Sequence, residues 1–427
     1  MKGDRLNPEL PTGDGRKHLL DIFRKLTSNC SKKIVARALI SKNQVACHLP
    51  GTHDISSMDN NKLGTKPHYQ ILDGLRGVAA IFVVCFHLAE PLSSSHLDNV
   101  VNHGYLAVDF FFLLSGYVIG YAYDDRWGKL TIGGFLRRRL ERLQPLVVLG
   151  MTLGAIGFYF TDSTIWPLIH TVPLWKLMVV MLIGYTILPI PLSMDIRGWQ
   201  EMHPLNSVGW SLFFEYIANI LYALGLRKLS NQALACFVVL AGAVLVQFAV
   251  TNANGDVTGG WTLNAEHMRV GITRTLFPFF AGLLLSRLAR PARIKNAFLG
   301  CSLLVVAVLL MPRIGGASHL WMNGLYEAFC IIVVFPLIVY VGASGVVHGQ
   351  TEDKICQFLG NLSYPLYMTH YVLVYFYVAW VSNHSGITLR QAWPQALLTF
   401  SGAIVLAYAS LKLYDEPVRA WLRKKLK

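Results

Sequence analysis

His87, Asp109 and Glu215 are ionisable side chains set inside runs of apolar residues. Apolar runs of about 20 residues are long enough to cross a bilayer. A charge inside one is costly unless it is paired or put to use. A histidine in that setting reads either as a packed core residue or as a base. Its ordinary pKa lies near the working pH of a cell, so it suits taking a proton from a hydroxyl that attacks an acyl carbon. It can equally take the acyl group itself and pass it on. Glu90 follows His87 by three residues on the same helical face, where it either orients the ring or is a solvated end residue before Pro91. Asp109 precedes Phe110, Phe111 and Phe112. Its carboxylate either orients a histidine, contacts an acceptor, or pairs with an arginine or a backbone N–H.

The cations are spaced for a different task. Arg76 lies eleven residues before His87, which is about 16 Å along a helix. Arg137, Arg138, Arg139 and Arg142 form a run before the third apolar segment, and Arg139 and Arg142 share a helix face. Arginine forks pair well with phosphate oxygens. The plainer reading is an anchor at the membrane surface, and for Arg76 a pairing with Asp73 at i−3. A phosphate-bearing ligand held by these arginines needs a long thin arm to reach His87.

Elements that position such residues follow from composition. The 427 residues are 53% hydrophobic and 15% charged, well under the roughly 25% charged of a soluble domain. An all-α, polytopic transmembrane bundle is the expected fold. Eleven apolar segments are expected, near 71–92, 105–123, 143–161, 174–193, 208–226, 233–251, 270–288, 297–312, 324–343, 359–381 and 395–414. Lys and Arg concentrate near 125–142, 227–228, 287–295 and 415–427, and cationic loops stay cytoplasmic. Alternation through eleven crossings conflicts with that bias. About ten crossings remove the conflict if 174–193, which ends in Leu188-Pro-Ile-Pro-Leu192, does not fully cross. Both termini are then cytoplasmic, loop 194–207 lies outside, and Glu215 falls in the outer half of its span. Residues 1–68 read as a polar, basic cytoplasmic tail with an amphipathic stretch over 18–40, no signal-peptide core, and an alternative start at Met58. Residues 69–419 form the membrane domain and 420–427 a basic cytoplasmic tail.

The ordered set of motifs resembles the acyltransferase-3 family of integral membrane acyltransferases. It comprises Arg76 and His87, the GYLAVDFFFLLSGY segment, Arg139-Leu-Glu-Arg142, VGWSLFFE and LGNLSYPLYMTH, and it runs from about 69 to 419. The resemblance implies an O-acyltransferase, with acetyl-CoA or another acyl-CoA as donor and no metal. It implies catalytic roles for His87, Glu215 and Asp109, and donor contacts for Arg76, Arg138, Arg139 and Arg142. Glu215 is then an acid, a base or an acceptor ligand. Trp210, Tyr367 and His370 are implied substrate contacts, each with a packing or membrane-belt alternative. Ser115-Gly116 reads as a close helix contact rather than chemistry. Trp199, like Trp210, either stacks on a sugar ring or belongs to the aromatic belt at the membrane surface; His203 lies in the same loop, and Tyr364 belongs with Tyr367 and His370 in the late SYPLY-x-x-H pattern. Arg269 and Arg274 either bind anions or anchor a helix. The ending Tyr414-Asp-Glu-Pro417 with Arg419 is expected to cap the cytoplasmic face. The implied acceptor is a carbohydrate such as an exported or cell-surface glycan, at a bacterial inner membrane. With no room for a further soluble domain, a separate export or transfer protein is a possible partner.

Other classes fit less well. The net charge of +14 follows the membrane charge bias rather than a nucleic-acid surface, so no nucleic acid is expected. No phosphate-binding G-x-x-x-x-G-K-[ST] run, G-x-S-x-G elbow or C-x-x-C metal pair is present. The rival readings are the same chemistry on a cytoplasmic small molecule or a lipid, and a secondary transporter using the buried charges as a path.

Overall fold

The computed structural model describes residues 66, 68–95 and 98–425. The N-terminal tail expected over 1–68, with its amphipathic stretch, lies outside them save for Lys66 and His68. Every one of the eleven apolar segments forms a helix. The described residues hold no strand beyond two isolated bridging pairs.

The helices are α1 (Gln70–Ala89), α2 (Ala107–Tyr123), α3 (Ile132–Gly157), α4 (Leu174–Tyr185), α5 (Gly209–Leu224), α6 (Asn231–Thr251), α7 (Ala265–Leu288) and α8 (Ala297–Leu310). Then come α9 (Trp321–Phe329), which continues through a π-helical turn into α10 (Phe335–Ala343), and α11 (Gly349–Ser382). The last helix, α12 (Leu389–Ala409), continues through a second π-helical turn, Ser410–Asp415, into α13 (Glu416–Lys425). Seven helical stretches among the described residues are long and apolar enough to cross a bilayer: 70–92, 104–123, 132–161, 231–251, 265–288, 321–343 and 389–425.

Two differences from the expected segments matter for the site. First, α3 begins at Ile132, with Thr131 accepting the Gly134 N–H as its N-cap. The arginine run is therefore helical and continuous with the apolar segment, and its directions around the axis are fixed. Second, α4 has only 12 residues, about 18 Å long against an apolar bilayer core of about 30 Å. Pro189 and Pro191 lack the N–H that further helix needs, and Ile187 turns the chain at φ 60°. The connection over 194–207 is exposed at 198–200 and then turns inward. Residues 201–212 are all buried. Met202 N–H donates to Trp261 O at 2.7 Å, and Asn206 Nδ2 donates to Met368 O at 2.7 Å. These bonds draw the segment into the bundle because a buried backbone must find partners.

Helix α1 packs along α11, and α2 along α7. Small residues set both approaches, as membrane helices do where lipid supplies no hydrophobic drive. A Cβ at Gly77 would overlap the Leu359 backbone. At Gly116 it would overlap the Phe279 carbonyl, and at Gly282 the Leu113 carbonyl. Gly116 is thus a contact point, while Ser115 donates to Glu215 instead. Gly116→Val is expected to force α2 off α7, at a cost above the roughly 1–3 kcal/mol of ordinary overpacking. Detergent-solubilised variant should show sharply reduced monodisperse recovery. Recovery equal to wild type would contradict the packing.

Candidate active site

At the C-terminal end of α1, His87 Nδ1 lies 3.2 Å from Glu90 Oε2. The short turn Glu90–Leu92, with Pro91, makes this possible by folding the carboxylate back over the last helical turn. The His87 ring stacks on His370 of α11, with centroids 5.6 Å apart, and meets Tyr371 edge-on at 4.8 Å. His370 is fully buried, and its Nδ1 lies 2.8 Å from Leu366 O. That contact makes Nδ1 the protonated nitrogen and fixes the tautomer.

His87 and Glu90 open on a chamber of about 1230 Å³. Its walls are largely aromatic: Trp166, Trp199, Trp210 and Trp261 contribute, with Tyr105, Tyr371 and Tyr375. Glu201 also reaches it. Its carboxylate accepts the Tyr375 hydroxyl at 3.2 Å. Burial raises the Glu201 carboxyl above its ordinary range, and Arg197 opposes that shift. Arg197 itself lies behind the wall, stacked 3.6 Å over the Tyr375 ring and donating to Pro204 O at 2.6 Å.

A second cavity, of about 780 Å³, lies deeper between α1, α2, α3, α5 and α11. Arg76, Arg139, Arg142, Ser115, Glu215 and Tyr364 line it, together with an apolar stripe from Phe111 to Leu114. Glu215 Oε1 accepts from Arg139 Nη2 at 2.6 Å and from Ser115 Oγ at 2.7 Å. Arg76 pairs with Asp73 at 2.7 Å and donates from Nε to Ser363 Oγ at 2.9 Å. A third cavity, of about 900 Å³, sits at the N-terminal end of α1. It shares Arg76, Arg142 and Tyr364 with the second, and its mouth carries Asp415 and Arg419 from the π-helical turn and α13. Arg142 has no hydrogen bond or ion pair to any described residue. An unpaired guanidinium facing two cavities is a ready anion site.

The second cavity and the chamber share Val108 and Tyr367. Tyr367 is pinned there by a 2.6 Å contact between its hydroxyl and Ser211 Oγ. The three spaces thus follow one another along α1 and α11, from Arg76 and Arg142 at one end to His87 at the other.

The sequence-derived residues fall into place unevenly. His87, Trp210 and Tyr367 face the chamber, while Arg76, Arg139, Arg142 and Glu215 face the second cavity. Glu215 therefore sits with the arginines and not beside His87. Arg138 is exposed on the other side of α3 and lines none of these spaces. The 100° step from Arg139 turns it away. Asp109 is fully buried and takes Arg274 through both oxygens, at 2.6 and 3.2 Å. It lines neither cavity; Arg274 does, at the chamber wall. His370 backs the His87 ring. His203 is buried with Nε2 3.0 Å from Ile187 O, and burial lowers its imidazole to about 4, so it is neutral. Sequence reasoning missed Glu201, Trp166, Trp261, Tyr371 and Tyr375. The tryptophans stand in short connections where membrane-belt use is the commoner reading. Nothing in the residue pattern shows that 201–208 folds inward.

Comparison with known proteins adds the chemistry. The family model described as an acyltransferase domain matches residues 69–412. "Protein 2 in picA locus" of Rhizobium radiobacter is 34% identical over 187 residues, covering 42% of this chain and 94% of that protein. The O-acetyltransferase OatA of Staphylococcus aureus is 25% identical over 337 residues, covering 71% of this chain and 50% of that protein. A second Staphylococcus aureus protein, provisionally named an O-acetyltransferase, is 24% identical over 329 residues with the same coverage. The chain thus spans half the length of those two relatives. No solved structure matches.

Proposed function

Because this chain belongs to the acyltransferase-3 family, we propose that it moves an acyl group, most simply acetyl, from acyl-CoA to a carbohydrate hydroxyl. The donor enters at the Arg76–Arg142 end and the acceptor is held at the His87 end. The observation that carries this reading is a row of three cavities that share lining residues in turn, with Arg142 at one end and His87 at the other. About 16 Å of helix separates Arg76 from His87, and the intervening cavity is lined in part by apolar side chains. That suits an extended thioester arm with its phosphates left at the arginines.

In the transfer step, Glu90 holds the Nδ1 proton of His87, which leaves the Nε2 lone pair to accept the proton of the acceptor hydroxyl. The hydroxyl oxygen bonds to the thioester carbonyl carbon and the C–S bond breaks. His87 then returns the proton to the departing sulfur, giving an ester and a free thiol. Glu215 holds Arg139 in the donor passage, and the Asp109–Arg274 pair fixes α2 to α7 beside the chamber.

The arrangement in the cell follows from the charges. We place the arginine end and both termini at the cytoplasm of a bacterial inner membrane, with about ten crossings and α4 as an incomplete one. The acceptor is then an exported or cell-surface glycan, delivered by a separate export protein. Ester-linked acetate on exported glycan should rise when the chain is expressed and fall when it is deleted. Acylation of a cytoplasmic small molecule or a lipid with the glycan unmodified would replace the acceptor class. Solute flux without any covalent product would replace the enzyme reading.

Arg142→Ala tests the donor end. Loss of one charge-assisted contact, roughly 1.5–3 kcal/mol, should raise KM for acyl-CoA about 10- to 100-fold. An unchanged KM would place the donor elsewhere.

A further inference from the structure

The chamber at His87 combines flat aromatic walls with an uneven supply of charge. Trp166 and Trp199 meet at 5.4 Å and 57°, and Trp166 meets Tyr375 at 5.4 Å. Such surfaces bury the C–H-bearing face of a sugar ring while its hydroxyls seek hydrogen-bond partners at the edge. Glu201 stands at that edge. An isolated antiparallel bridge between Glu201 and Thr262, and the Met202 N–H bond to Trp261 O, tie it to the strip that carries Trp261. Its side chain lines the chamber in a residue 5% exposed, and no cation lies within ion-pair distance of it among the described residues. A carboxylate has about four acceptor positions; the Tyr375 hydroxyl and Ser207 take two, and the Arg197 charge behind the wall offsets part of its field.

The cations nearby are already committed. Arg274 reaches the chamber wall, but Asp109 neutralises it, and it also donates to Tyr105 O and Gly259 O. Arg197 does not line the chamber; it donates to Pro204 O and Thr161 Oγ1. His87 is held by Glu90, whose carboxylate also faces the chamber. A ligand carboxylate or phosphate would therefore meet oxygens rather than free guanidinium groups. A ligand hydroxyl would find open acceptors.

From this, and resting on the acyl-transfer reading, we propose that the chamber admits sugar units that carry no anionic group. Glu201 is the specificity-determining residue: it holds acceptor hydroxyls while the ring lies against the tryptophans.

The test is a binding measurement without donor, so it is independent of whether acyl transfer occurs. Purified full-length protein is titrated with methyl glycosides of glucose, galactose and mannose, each paired with its uronic acid. Binding is read by tryptophan fluorescence and saturation-transfer NMR. A second carboxylate near Glu201 adds repulsion worth at least about tenfold in affinity, so at least one neutral glycoside should bind that much tighter than its uronic acid. In Glu201→Gln the ratio should fall toward one. In Glu201→Asp the neutral sugar should weaken while the discrimination persists. Equal or tighter binding of the uronic acids in wild type would overturn the proposal. So would an unchanged ratio in Glu201→Gln, or no binding of any neutral glycoside up to its solubility limit. Should the variants fail to fold, the wild-type ratio alone decides. A correct ratio without any ester product in cells would leave the sugar box standing and remove the transfer reading. Ester product with a reversed ratio would do the opposite.

Discussion

His87→Ala should lower acyl transfer by about 10³-fold, in the middle of the range for removal of a general base, at unchanged membrane abundance. The ring lies at the chamber surface with 17% of its side chain exposed. Its removal opens space at the chamber surface and leaves no buried partner unsatisfied, because Glu90 is half exposed. Folding should therefore be spared. His87→Gln keeps an amide near the Nδ1 position but cannot shuttle a proton, and should be as inactive as alanine. The measurement is acetyl transfer from labelled acetyl-CoA to the exported glycan fraction, at matched protein levels. Near-normal transfer in either variant would make His87 a packing residue, as a lone histidine in an apolar helix often is. A readily folded, inactive pair would instead tie the lone pair at this position to the reaction.

The second large effect is on stability. Arg274 and Asp109 are 1% and 0% exposed at their side chains. Arg274→Leu strands the Asp109 carboxylate in the interior, and breaking a buried pair in this way costs about 3–5 kcal/mol. Little folded protein should be recovered. The double variant Asp109→Leu/Arg274→Met replaces the pair by apolar groups of similar size, an exchange that is often neutral. It should recover the protein, as judged by size-exclusion profile and thermal midpoint. It also separates the two readings of Asp109. A recovered double variant that still transfers acetate assigns Asp109 to structure. One that folds as well as wild type yet transfers nothing assigns it to the reaction.

Much of this was legible in the sequence because membrane physics leaves few choices. Charged residues in apolar segments must be paired or useful, and His87, Glu215, Arg139 and Asp109 all proved to be buried or cavity-lining. The helical segments were legible for the same reason: a backbone in an apolar medium must satisfy itself. Pairing was less legible. The carboxylates Asp109 and Glu215 look alike in sequence, each followed or preceded by aromatic residues. Only the packing of α2 on α7 gives the first to Arg274, and only that of α5 on α3 gives the second to Arg139. Arg138 and Arg139 differ by one residue and by a 100° turn, and that turn becomes fixed only once α3 is known to start before them. The inward fold of 201–208 was not legible at all. It rests on single backbone and side-chain bonds, such as Asn206 to Met368 O, that leave no periodic trace. Glu201 was missed with it, and Trp166 and Trp261 were missed too, although Trp199 and Trp210 were candidates.

The central claim is directional: donor at the arginine end, ester at the histidine end. It is tested by sealed membrane vesicles of defined orientation from cells that make both the chain and its glycan. Labelled acetyl-CoA, which does not cross the bilayer, is supplied only outside. Inside-out vesicles, with the Arg76–Arg142 mouth facing the label, should accumulate ester-linked acetate on lumenal glycan, and right-side-out vesicles should not. Equal labelling in right-side-out vesicles, or label confined to products on the donor face, would contradict the account.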